Sequence, residues 1–199
     1  DGRNIVEIRR VAGDGPIYFA VYAEYFSLEE PITPGGNEIF VDRQFYRIRN
    51  VPTLLKGFSE EKVLLVDGES LESGERVEVV LTIEGKNNYE YLVFEDFKAA
   101  GLEAVQLRSG GVIQARELKA SIAKEETESI KKIIAPGDEK DRYTARSRSV
   151  YQELRDRKIA SFIDRLPQGY WEIRYRLRAE VPGEFHALPV IAHAMYTPE

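Results

Sequence analysis

Between Trp171 and Val181 apolar and polar residues alternate without a fault. Trp171, Ile173, Tyr175, Leu177, Ala179 and Val181 fall on one side, and Glu172, Arg174, Arg176, Arg178 and Glu180 on the other. Successive side chains of a strand face opposite ways, so the pattern predicts a strand with one buried and one wetted face, as antiparallel sheets allow. Pro182-Gly183 breaks the run, since proline fixes φ and glycine accepts the positive φ of a turn. A second strand is predicted from Phe185 to Tyr196. It is apolar on nearly both faces, as expected of a strand covered from both sides, and it closes a hairpin with the first.

Upstream, Ile5 to Val11 reads as a short strand ended by Gly13-Asp14-Gly15-Pro16, and Ile17 to Phe26 as an apolar strand from the middle of a sheet. Ile39 to Ile48 is a further strand. Residues 49 to 62 show no clean period and contain Pro52 and Gly57, so they read as a linker. Val63 to Val66 and the Asp67-Gly68 turn follow, then a second clean alternation at Val77, Val79, Leu81 and Ile83. Gly85 to Asn88 turns the chain into a strand from Tyr89 to Asp96. Late in the chain, Lys158 to Asp164 is a strand, and Leu166-Pro167-Gln168-Gly169 leads into Trp171. Short strands separated by turns predict an all-β fold, an antiparallel β-sandwich. Gln114 to Arg148 departs from this texture, with seven acids and nine bases among few apolar residues. Leu118, Ile122, Ile130, Ile133 and Ile134 have roughly helical spacing, so Glu117 to Ile134 fits one amphipathic helix. A strand through Leu118, Ala120 and Ile122 followed by a charged loop fits equally.

Composition narrows the function. A length of 199 residues suits one large β domain, or one domain and part of another. A net charge of −6 argues against a nucleic-acid partner, which needs a clustered basic face. No apolar run approaches the roughly 20 residues of a membrane span. The polar opening Asp1-Gly2-Arg3-Asn4 is not that of a signal peptide. With no cysteine, the chain has no disulfide, thiolate metal site or thiol nucleophile.

Candidate chemistry is sparse. His186 and His193 lie seven apart on the predicted last strand, on opposite faces, and cannot jointly hold a metal. Neighbouring Glu95 and Asp96 face opposite ways, so they are no carboxylate pair for glycoside hydrolysis. Asp138, Glu139 and Asp141 lack the ligand spacing and glycine of a calcium loop and read as a solvated charge run. There is no nucleophile elbow and no phosphate-cradling glycine loop. Tyr18, Tyr22 and Tyr25 could make an aromatic sugar platform, although strands favour aromatics for packing alone. The residues by themselves describe a β-rich binding or structural module rather than an enzyme, without metal or cofactor.

Five stretches, in order, carry a family resemblance: Asn4 to Phe26; Asn37 to Tyr46; Tyr91 to Val105; Tyr151 to Asp164 with Leu166 to Gly169; and Arg174 to Phe185 with Met195-Tyr196. Together they resemble the C-terminal part of bacterial alpha-2-macroglobulins. The resemblance implies a division at about residue 55. Residues 1–55 would be the last strands of a CUB-like domain and a linker, and residues 56–199 the terminal macroglobulin-like sandwich. Strands of an interrupted domain have unpaired edges, so the N-terminal part is expected to self-associate. The resemblance also implies an envelope or periplasmic protein that traps proteases, whose reactive Cys–Gln thioester lies in a separate domain. The expected partners are that domain and its neighbours in the same protein and, through the whole inhibitor, proteases. Met195 and Tyr196 point to opposite faces by strand parity, so at least one faces away from a one-sided core. Given the resemblance, the pair is expected to shield the thioester. The rival readings are a free-standing adhesin or carbohydrate-binding sandwich and an accessory domain of a secreted glycoside hydrolase.

Overall fold

The alternation at Trp171 becomes a long strand beside the second alternating stretch, paired with it from Gly169↔Gly85 to Arg178↔Arg76. The computed structural model describes residues 5, 7–16, 18–19, 34–54, 57–105, 111–123, 133–134 and 142–196. In chain order its strands are β1 (Ile39–Thr53), β2 (Gly57–Leu65), β3 (Arg76–Gly85), β4 (Tyr89–Phe97), β5 (Leu102–Ala104) and β6 (Gly111–Leu118). They continue with β7 (Ile133–Ile134), β8 (Tyr143–Leu154), β9 (Lys158–Leu166), β10 (Gly169–Ala179) and β11 (Val190–Ala194). The pairings form one continuous antiparallel ladder, β11-β4-β9-β8-β6-β10-β3-β1-β2-β7, with β5 at the far end of β10. The ladder folds over at β6. Its first residues pair with β8, while Arg116 and Glu117 meet Glu172 and Trp171 of β10. Tyr175 of β10 therefore donates its hydroxyl hydrogen to Asp96 of β4, although several strands separate them along the ladder. The two halves are the layers of a sandwich.

Between the layers, Val79, Leu81 and Ile83 of β3 and Trp171, Ile173 and Leu177 of β10 meet Leu92 and Phe94 of β4 and Ile159 and Ile163 of β9. Each of these side chains stabilises the fold by about 1.5–3 kcal/mol on burial. The Trp171 indole N–H, enclosed by this packing, donates to the Pro167 carbonyl at 2.8 Å.

Several expectations are corrected. β10 and the last strand form no hairpin: β11 crosses to the other layer and pairs with β4, as in His193 opposite Val93. It begins at Val190 rather than Phe185, and among the described residues it is an edge strand with one neighbour, not a strand covered from both sides. Phe185 instead closes over Gly101, where a Cβ would lie 2.4 Å from its ring. The expected linker at 49–62 is the β1–β2 hairpin, paired from Phe45↔Leu65 to Thr53↔Gly57. Beyond Arg47, β1 has lost β3 as a partner, so Pro52 sits where a missing N–H disrupts only an edge.

A division at about residue 55 does not follow the pairing either. The chain separates into Asp1–Thr33 and Pro34–Glu199, and β1 lies between β3 and β2 within the second unit. In the first unit, the described residues of the two expected strands (Ile5, residues 7–11, Tyr18 and Phe19) are in no strand, and the others lie outside the described residues. Nor does a helix start at Glu117. Glu117 and Leu118 end β6, and a helical turn begins at Ala120, with the Ala123 N–H donating to the Lys119 carbonyl at 3.1 Å. Residues 124–132 lie outside the described residues.

Candidate functional site

On β11, Ala192 and Ala194 pack inward against the core, so Ile191 and His193 face outward, and the chain leaves the strand through Met195 and Tyr196. Met195 is 46% exposed and Tyr196 74%. Both expected site residues thus reach the surface. They are not loose there. The Met195 N–H donates to the Tyr91 carbonyl at 2.8 Å, carrying the β11–β4 ladder one residue past the strand. The Tyr196 ring meets the Tyr91 ring edge to face, with centroids 5.1 Å apart and planes at 86°. Tyr91, itself 47% exposed, is the neighbour of this pair that sequence reasoning did not single out.

The other candidates are scattered. His193 stands half-buried on the outer face of β11 and His186 in the exposed segment before it, and among the described residues no His/Asp/Glu group could hold a metal ion. Glu95 faces out and pairs with Lys158. Asp96 faces in, is 2% exposed, and accepts from Arg43 and from Tyr175. Burial and then the Asp96 charge push the Tyr175 phenol well above its ordinary range. That carboxylate is saturated by a cation and a phenol, so it clamps β4 to β1 and β10 rather than offering a base. Of the tyrosines considered as a platform, Tyr18 is exposed, while Tyr22 and Tyr25 lie outside the described residues, as do Asp138, Glu139 and Asp141. An open cleft of about 380 Å³ lies beside Asn88, Arg148, Asp164 and Pro167, and its Glu90 and Arg165 pair with each other at 3.0 Å.

The face of β10 expected to be wetted is in part closed over. Glu172 is 2% exposed. It takes hydrogen bonds from Arg142 at 2.9 Å, from Arg174 and from the Tyr143 hydroxyl. Next to it, Glu78 binds Lys62 at 2.6 Å and Arg174 at 3.2 Å. Burial pushes the Glu172 carboxyl upward, but the charge and hydrogen bond of Arg174, the Tyr143 hydroxyl and Arg142 outweigh it and hold the group below the ordinary carboxylate range. Glu172 and Arg174 of β10 thus belong to a buried ion network with Glu78, Lys62 and Arg142, while Arg178 remains at the surface.

Fold and site together define an antiparallel β-sandwich domain that presents an aromatic and methionine cluster where its last strand ends. Residues 39–199 match the family described as the bacterial alpha-2-macroglobulin MG10 domain. The chain belongs to that family. Among solved structures it is similar to native alpha-2-macroglobulin from Escherichia coli spanning domain MG7 to the C-terminus, at 18% identity and a TM-score of 0.46. That similarity covers 83% of this chain and 22% of the other, so the chain spans less than a quarter of the length of that structure. No curated protein matches the chain.

Proposed function

We propose that this chain is the non-catalytic C-terminal region of a bacterial broad-spectrum protease-trapping inhibitor of the periplasm or cell envelope, and that Met195 and Tyr196 cover the thioester of a neighbouring domain. Family membership supports the first part. The observation that carries the second is the pair itself, exposed yet fixed to β4 by a backbone hydrogen bond and a ring contact. An exposed tyrosine held in one orientation has lost its conformational freedom before a partner arrives, which favours docking over mere solvation.

Such a cover has a chemical purpose. An amine that reaches a thioester attacks its acyl carbon. The C–S bond breaks, the sulfur leaves as thiolate and takes up a proton, and an amide remains. Keeping water and small amines out of a dry pocket prevents that side reaction until the domains part. In the full-length protein, Met195→Ala with Tyr196→Gly is expected to speed loss of the thioester to methylamine without protease cleavage, read as free thiol released over time. A correctly folded double variant with wild-type methylamine reactivity would reduce the pair to packing. Tyr196-dependent binding to a glycan panel would favour a carbohydrate-binding module instead.

A further inference from the structure

Among the described residues, Tyr91 alone has a positive φ without being glycine, at 55°. A bulky side chain in the left-handed region is strained, and such a residue persists only where its surroundings fix it. Here the strain re-aims β4. Tyr89 pairs with Leu166 and Leu92 with Ile163, and both tyrosine and leucine pack toward the core. A regular strand would set residues three apart on opposite faces. Between them Glu90 and Tyr91 both turn to solvent.

That change of direction needs only a left-handed residue, and glycine or asparagine would adopt it with less strain. A tyrosine is explained by what its side chain does, and this one stands edge-on to Tyr196 at 5.1 Å while its carbonyl holds the Met195 N–H. From this we infer that Tyr91 is a positioning residue: its strained backbone aims ring and carbonyl at the chain end and sets Met195 and Tyr196 in their docking orientation. The inference rests on the shielding role proposed above and adds the residue through which that role is maintained.

The test uses the full-length protein. Tyr91→Asn tolerates the left-handed backbone and removes the ring; Tyr91→Phe keeps the ring. Tyr91→Asn is expected to raise the methylamine rate by about 2- to 10-fold, the range for losing one such ring pair, with no fall in thermal midpoint. Tyr91→Phe stays at the wild-type rate. Because Tyr91 acts through Tyr196, adding Tyr91→Asn to Tyr196→Gly gives no further acceleration. Amide hydrogen exchange at Met195, followed on the C-terminal peptide, is expected to be faster in Tyr91→Asn than in Tyr91→Phe. Two independent, multiplying effects on the rate overturn the inference, as does unchanged exchange at Met195. If Tyr196→Gly itself leaves the methylamine rate unaltered, the shielding role falls, and exchange at Met195 still decides whether Tyr91 positions the chain end.

Discussion

Asp96 shows how one residue of the sequence acquires a role that only the folded layers define. It sits on β4 between the sheets and accepts from Arg43 of β1 and Tyr175 of β10, two strands of the opposite layer. Arg43 also donates to the Ala187 carbonyl at 3.3 Å, so the same ion pair secures the segment leading to β11. Removing the carboxylate leaves a cation with 12% side-chain exposure uncompensated. Asp96→Ala is expected to lower unfolding free energy by about 3–5 kcal/mol, the range for breaking a buried pair from one side. Tyr175→Phe, which leaves the ion pair in place, is expected to cost only about 1–2 kcal/mol. Denaturant titration of both variants checks the order. Equal losses would mean that the phenol, not the ion pair, holds the layers.

At the scale of the strand, β10 owes its stability to both faces. Its core face is the apolar row from Trp171 to Leu177, and its other face holds Glu172 among Arg142, Tyr143 and Arg174. The folded Glu172 carboxyl lies below its unfolded value of about 4.3. Its contribution is therefore complete above that value and is lost as pH falls through the folded one. Thermal midpoints of the wild type are expected to drop more steeply below about pH 4 than those of Glu172→Gln; parallel acid limbs would contradict this. The charged row that folds inward was not legible from the sequence, because alternation tells a charged face from an apolar one but not which charges find partners. β3 and β10 were legible because apolar residues at a period of two fit nothing else. β8 was not, since most of its first half is exposed and only Tyr143, Val150 and Gln152 are buried. Val190–Ala194 could be recognised as a strand but not placed, since a short apolar run carries no register. Met195 and Tyr196 stood out in the sequence as large side chains where the last apolar run stops. Tyr91 was not, because nothing in the sequence marks a tyrosine as left-handed or places it beside a residue half the chain away.

Across the whole molecule, the strand that covers the side of β4 is made well after β4 itself. Among the described residues β4 has β9 on one side and, on the other, only β11. During synthesis the chain grows from its N-terminus, so this side of β4 stays open until the residues through Ala194 have followed. A bare edge bearing Leu92, Val93 and Phe94 is a template for pairing with another chain. Removal of residues 182–199 is accordingly expected to make the 199-residue chain self-associate more strongly at equal concentration; light scattering after size separation compares the two, and no increase on truncation would refute the idea. The arrangement makes β11 the guard of an otherwise adhesive edge. A copy that stops short lacks the strand that protects its neighbours from it, and lacks with it the methionine and tyrosine by which the finished domain would dock.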